Sequence, residues 1–197
     1  MVAAAHQLIN QTSGEVEYYT PVEIIEAARR VLGGVIDLDP ASSAKANEIV
    51  RAMRFFTEAD NSLNQVWHGR IWMNHPFHAG WNACDDACKR KTCEKRGHVY
   101  RDIPGNADWV YKIEREYRSG RMVAACCITF ASTSEQWFQP LLKHPQCFLS
   151  PRTNYRLPDG SILKGVSKGS VVTYYGNDVD RFATEFQGFG QVKVAYA

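Results

Sequence analysis

No stretch of the chain stays apolar for the roughly 18 residues that a membrane span takes, so no membrane partner is expected. Met1 to Ser13 lacks a charged start followed by an apolar run, and no signal peptide is expected. An excess of one charge is missing too. Lys and Arg number 23 against 21 Asp and Glu, leaving +2 at neutral pH and a pI near 8.2. That balance is compatible with a nucleic-acid partner without demanding one. Internal repeats, low-complexity tracts and linker-like stretches are absent. The six cysteines are not spread as a secreted disulfide framework would spread them. Cys84, Cys88 and Cys93 crowd one charged segment, whereas Cys126, Cys127 and Cys147 lie in apolar, strand-like runs. A cytoplasmic protein with three core thiols and three available for other work is expected.

What remains is a chain of 197 residues with 45% hydrophobic positions, enough for one globular domain with a real core. Helical and strand patterns alternate, the signature of an α/β layer fold. Thr20-Pro21 with Glu23 reads as a capping box. The helix that follows carries Ile24, Ile25, Ala28, Val31 and Leu32 on one face, and Gly33-Gly34 stops it. Val35 to Leu38 reads as a short buried strand. Ser42 or Ser43 caps a second helix, with Ala46, Ile49, Val50 and Met53 on one side. Arg70 to Met73 is a strand that runs into Asn74-His75-Pro76-Phe77. Residues 78–104 are polar, cysteine-rich and without clear periodicity. A helix over Asn106 to Arg118 and a central strand over Met122 to Phe130 follow. Beyond them come a helix near Ser134 to Lys143, a strand at Cys147 to Leu149 and a loop centred on Pro158-Asp159-Gly160. Strand, helix and strand at Ser170–Tyr175, Val179–Phe186 and Gln191–Tyr196 complete the chain. Residues 1–17 form an amino-terminal tail, and 18–197 form one domain with a cysteine-rich insert at about 78–104.

Two stretches carry chemistry. Val35-Ile36-Asp37-Leu38-Asp39-Pro40-Ala41 ends a strand in acids, which places carboxylates at the carboxyl edge of a sheet, where open α/β folds bind ligands. A carboxylate there accepts hydrogen bonds from both ribose hydroxyls of an adenosyl group. The competing reading is a plain strand-to-helix turn with Asp39 capping the next helix. The second stretch, Asn74-His75-Pro76-Phe77, also follows a strand directly. Methylation of an exocyclic amino group needs such a set, because that nitrogen is conjugated into its ring and is a poor nucleophile. A side-chain oxygen and a backbone carbonyl that accept its protons localise the lone pair, and an aromatic ring stacks on the flipped base. An Asn-x-Pro turn after a strand is also a common structural device.

The order and spacing of Thr20-Pro21, Ile36-Asp37-Leu38-Asp39-Pro40-Ala41, Phe55-Phe56, Asp60, Leu63, Trp67, Gly69 and Asn74-x-Pro76-Phe77 resemble the phage-type adenine DNA methyltransferase family. Gly169 to Gly176, followed by Phe182 and Phe186, is similar to that family's carboxyl-terminal half. The resemblance covers residues 18 to 196. It implies a Rossmann-like class I methyltransferase sheet, S-adenosyl-L-methionine (SAM) as methyl donor, and DNA as acceptor in a bacterial host cell. It also implies that Thr20 and Pro21 lie near the methionine end of SAM, Asp37 and Asp39 near its ribose and Asp60 near its adenine edge. Asn74, His75, Pro76 and Phe77 become the catalytic loop. The chain departs from the usual pattern in lacking a Gly-x-Gly SAM loop and in carrying His75 where the family has its first proline. The backbone carbonyl at 75 survives that exchange, but proline's fixed φ does not. The imidazole then contacts the base or a phosphate, accepts a proton, or marks a lost activity.

Cys84-x3-Cys88-x4-Cys93-x4-His98 is a third constellation. Three thiols and an imidazole make a four-coordinate structural zinc set. The competing reading is a solvated basic loop with free thiols. Lys89, Arg90, Lys91, Lys95 and Arg96 are interleaved with the cysteines and suit phosphate contacts. Arg152, Asn154, Tyr155, Arg156, Lys164 and Lys168 form a second polar-aromatic region for base edges or backbone, or an ordinary exposed loop. The expected function is SAM-dependent methylation of the exocyclic amino group of adenine in DNA. The alternatives are the amino group of cytosine and a non-catalytic DNA-binding protein on a decayed methyltransferase fold.

Overall fold

The computed structural model describes residues 18–85, 87–157, 159–163, 166 and 168–194. The amino-terminal tail, Pro158, Lys164 and Tyr196 lie outside the described residues.

The first helix, α1 (Val22–Val31), buries Ile24, Ile25, Ala28 and Val31 and stops at Gly33 and Gly34, both at positive φ. Its start corrects the expected capping box. Pro21 is itself the cap, its carbonyl accepting from the N–H groups of Ile24 (3.1 Å) and Ile25 (3.3 Å). Thr20 therefore sits one residue too early for a box, and its buried hydroxyl has no partner among the described residues. The first strand, β1, is Leu38–Asp39 rather than Val35 to Leu38, although Ile36 and Asp37 already form backbone bonds to Met53, Arg54 and Arg70. In α2 (Ala44–Val50), Ser43 is the cap, its hydroxyl accepting from Ala46 N–H at 3.1 Å. Arg51 in the left-handed region ends this helix, so Met53 falls outside it and is exposed, against expectation.

The remaining elements are β2 (Arg54–Phe55), single 3-10 turns at Glu58–Asp60 and Ser62–Asn64, β3 (Gly69–Met73), α3 (Lys91–Arg96), α4 (Asn106–Arg118) and β4 (Met122–Phe130). They continue with a 3-10 helix (Gln136–Lys143), β5 (Gln146–Leu149), the hairpin β6 (Tyr155–Arg156) and β7 (Ile162–Leu163), β8 (Ser170–Tyr175), α5 (Val179–Phe186) and β9 (Gly190–Lys193). The helix expected near Ser134 to Lys143 is present as a 3-10 helix containing Pro140, which has no N–H for an α-helical bond and crowds the preceding turn. The last strand is Gly190–Lys193, and the expected end at Tyr196 falls outside the described residues.

Seven strands form one mixed sheet in the order β2-β1-β3-β4-β8-β5-β9. β2, β1, β3 and β4 run parallel, β8 is antiparallel to both β4 and β5, and β9 is antiparallel to β5. The arrangement is compatible with a Rossmann-like α/β fold. Alternate residues of each strand feed opposite faces. Trp72, Cys126, Ile128, Val172 and Tyr174 meet Ile25 and Ala28 of α1 and Phe182 and Phe186 of α5 on one side. Ile71, Met73, Cys127, Val171 and Tyr175 meet Trp109 and Ile113 of α4 and Phe138 of the 3-10 helix on the other. Both faces are covered, as the near-continuous apolar run of β4 requires.

The segment between β3 and α4 is more ordered than its polarity suggested. Trp81 and Ile103 exchange backbone hydrogen bonds at 2.9 and 2.7 Å, and Cys84 N–H donates to the Val99 carbonyl at 2.7 Å. α3 sits at the tip; six residues are too few to show periodicity in sequence. At the base, Gly105 packs so closely that a Cβ on it would lie 2.3 Å from the Ala79 carbonyl, so only glycine fits.

Candidate functional site

Chain connections leave β1 and β3 in opposite directions. From β1 the chain crosses through α2 to β2 on one flank, and from β3 it passes through α4 to β4 on the other. A crevice opens outside the carboxyl ends of two parallel strands where the order reverses in this way. Leu38 pairs with Ile71 across β1 and β3, so Asp39 and Asn74 come from adjacent strand ends at that switch point.

Asp39 is buried, with Oδ1 accepting from Ala41 N–H at 3.2 Å. Its contacts are to Ala41 and Ser42 within the turn, so it does not cap α2. No cation pairs with it among the described residues. Burial pushes its carboxyl up to about 7, against the pull of the Ala41 and Ser42 hydrogen bonds. Asp37 has a different job. Its carboxylate accepts from Arg70 backbone N–H (2.8 Å), Nε (2.9 Å) and Nη2 (3.3 Å), and Gly69 at positive φ makes room, since a Cβ there would meet Asp37 Oδ2 at 2.5 Å. Asp37 thus braces the starting end of β3 through Arg70, away from the switch point. Asp60 is exposed. Its Oδ2 accepts from the Thr57 N–H and hydroxyl, both at 2.7 Å, and the Thr57 backbone bond holds its pKa below the ordinary value.

In the loop after β3, Asn74 Nδ2 donates to the Tyr18 carbonyl at 2.8 Å. That bond orients the amide, because a flipped amide would set oxygen against oxygen. The side-chain oxygen is the acceptor left for another donor. His75 is 1% exposed. Its Nε2 lies 3.1 Å from Asn106 Oδ1 at the start of α4, and its ring stacks on Trp109 at 6.1 Å and meets Phe77 edge-on at 5.5 Å. Nε2 carries the proton for that bond, and the buried Nδ1 has no partner among the described residues. Burial lowers the imidazole to about 4, so it is neutral near pH 7. A ring facing the core reaches neither a base nor a phosphate, and it is a poor proton acceptor. Pro76 is exposed and Phe77 half-buried. Phe77 rests on Phe130 at 4.5 Å and Tyr155 at 6.1 Å. Tyr155 is itself buried and bonded to Ser170 at 2.9 Å, so it supports this ring from within the core. In the same region Arg152 donates to the Val166 carbonyl, and Lys168 lies over the Phe130 ring.

The cysteine segment gathers its sulfurs. Ligand atoms of Cys84, Cys88 and His98 all lie within 4.8 Å of one another, and Cys93 Sγ is 3.6 Å from Cys84 Sγ. With Zn–S near 2.3 Å, two thiolates on one tetrahedral ion stand about 3.8 Å apart, whereas a disulfide brings them to about 2.05 Å. The cluster can hold a metal ion, and none of the six cysteines is bridged. The Val99 N–H on Cys84, helped by His98, Cys93 and Cys88, lowers that thiol to about 6. Burial instead raises Cys126, Cys127 and Cys147, the last to about 11, which fits inert core thiols.

Three contributors were not singled out from sequence: Tyr18 through its carbonyl, Asn106, and Arg90 as a partner of sulfur. A backbone carbonyl leaves no residue-type signal. Asn106 looks like an ordinary helix-start residue, and Arg90 is hidden in a charge run. No family model, curated protein or solved structure matches the chain.

Proposed function

We propose that the chain is a SAM-dependent DNA methyltransferase on a class I Rossmann-like sheet, acting in the cytoplasm on the exocyclic amino group of adenine. One observation carries the reading. At the switch point a buried carboxylate, Asp39, with no cation partner among the described residues, comes from the strand end next to that of an asparagine whose amide is already oriented by the Tyr18 carbonyl. The fit to an adenosyl donor rests on Asp39 and on Thr20, whose buried hydroxyl has no partner among the described residues. Asp39 would accept from the ribose hydroxyls, and Thr20 with Pro21 would face the methionine end. SAM supplies an electrophilic methyl group when bound.

The chain's own residues then act on the acceptor. Asn74 Oδ1 and the His75 carbonyl accept the two amino protons and localise the nitrogen lone pair. Phe77, supported from behind by Phe130 and Tyr155, stacks on the extruded base. The His75 side chain takes over proline's duty, pinning the loop to α4 through Asn106 and Trp109. The proton released on methylation leaves to water rather than to this neutral, buried ring. Cys84, Cys88, Cys93 and His98 would hold one structural zinc, which fixes Lys89, Lys91 and Lys95 beside the loop for DNA phosphates. The test is to incubate purified protein with SAM and duplex DNA, digest to nucleosides and weigh them. N6-methyladenine is expected. Methylated cytosine would move the target, and no methylated base together with no SAM binding would end the enzymatic reading.

A further inference from the structure

Of the basic residues in the cysteine segment, Arg90 stands apart. Its Nε donates toward Cys88 Sγ at 3.3 Å and its Nη2 toward Cys84 Sγ at 3.8 Å. Two nitrogens of one rigid guanidinium thus span two sulfurs, a reach that a lysine ammonium does not have. We infer that Arg90 is the outer-sphere partner of the metal centre, a positioning residue that neutralises and orients its thiolates rather than a contact for DNA. The inference rests on the proposed zinc site.

Charge counting gives the reason. Three thiolates and a neutral imidazole around a divalent ion leave one net negative charge, and the guanidinium cancels it. N–H···S bonds also fix the direction of each sulfur lone pair before the ion arrives, as outer-shell donors do for metal-bound ligands. The neighbourhood argues against a phosphate role for Arg90. It lines a cavity of about 570 Å³ together with Asn82, Thr92, Asp102 and Asp108, and the two carboxylates there would repel a phosphate. Lys89, Lys91 and Lys95 are exposed and have no sulfur contact among the described residues. The segment therefore divides its cations by task, with arginine for the metal and lysines for the nucleic acid.

The test uses the full chain and measures zinc affinity by competition with a chromophoric chelator. Cobalt(II) replaces zinc in parallel, so that the sulfur-to-metal charge-transfer bands report on the thiolates. Arg90→Gln should weaken zinc about 10- to 100-fold and shift those bands, because the sulfurs lose their donors. Arg90→Lys should recover part of the affinity but not the parent spectrum. The triple variant Lys89→Gln, Lys91→Gln, Lys95→Gln should keep both while losing DNA affinity. Parent-like zinc affinity and cobalt bands in Arg90→Gln would overturn the inference and leave the metal site standing. A triple variant that weakens zinc as much as Arg90→Gln would also overturn it, reducing the effect to general charge. A parent that takes up neither metal removes the site and the inference together, an outcome visible before any variant is made.

Discussion

The switch-point crevice and the cysteine segment are neighbours in the chain, yet different forces hold them. Around Asp39 and Asn74 the backbone is fixed by parallel pairing of β1, β3 and β4 and by buried Trp72, Met73 and Trp109. Among the described residues of 84–98, only Cys84 and Cys93 are buried. The segment's order depends on a few backbone bonds, one six-residue helix and a sulfur cluster. A region built on burial keeps its shape when a single polar group is removed. One built on a metal cluster loses its shape with the metal.

The largest expected effect breaks the comparison directly. Protein purified without added metal should contain close to one zinc per chain. Chelation, or Cys88→Ser with Cys93→Ser, should abolish amide-exchange protection over residues 84–98 while the protection of β3, β4 and β8 is kept. Structural zinc contributes on the order of 10 kcal/mol or more to the order of such segments, so a partial loss is not expected. Loss of core protection would show that the two regions are not separable. The next effect lies in the crevice. Asn74→Ala should lower kcat about 10²- to 10³-fold, as removal of one well-placed polar group from a reacting centre does, with SAM affinity within about twofold of the parent in calorimetric titration. Equal turnover would mean that the loop after β3 is not the catalytic one.

Asp39→Asn comes third. Loss of a carboxylate that accepts from hydroxyls should weaken SAM roughly ten- to hundredfold. The pH dependence has a defined sign. Asp39 holds its proton up to about 7 in the free protein, and hydroxyl donors favour the ionised form. SAM binding below that pH should therefore release a proton, and affinity should rise as pH climbs towards 7. Titrations in buffers of different ionisation enthalpy measure that proton directly. In the free protein the same shift costs stability. Between 3.8 and about 7 the unfolded chain has lost this proton while the native state retains it, so stability falls as pH rises through that window. Asp39→Asn should flatten this contribution. The smallest effect tests the loop's anchor. Asn106→Ala leaves a second His75 nitrogen without a partner, a change worth about 1–3 kcal/mol, and should lower both Tm and kcat. In a His75→Pro background the same change should leave kcat alone, because the ring it held is gone. An equal loss of kcat in both backgrounds would remove His75 from the anchoring role.

Reading the sequence succeeds where a local pattern is enough. α4, β4, β8 and α5 have the bounds that periodicity predicts, since each presents a full apolar face. It fails where a neighbour distant in the chain intervenes. Thr20 has the right company for a capping box, but the helix starts one residue later. Asp37 and Asp39 look equivalent in a seven-residue stretch, yet Arg70, 33 positions on from Asp37, takes Asp37 and leaves Asp39 without a cation among the described residues. The core thiols needed no distant neighbour to be read, because the apolar run of β4 already predicts them. Cys126 and Cys127 sit on a strand with opposite faces both covered, and both are buried.

By itself the sequence determined the alternation of elements, the acid that ends β1, the Asn-x-Pro-Phe loop after β3 and the spacing of three cysteines and a histidine. These are properties of residue type and short-range order, and the 3.6- and 2-residue periods carry them. Only the tertiary structure decided which acid faces the switch point, that the His75 ring turns inward to Asn106 and Trp109, and that the Arg90 guanidinium lies against two sulfurs. Each depends on a partner brought close by strand pairing or loop closure, and the same side chain with another neighbour would do different chemistry.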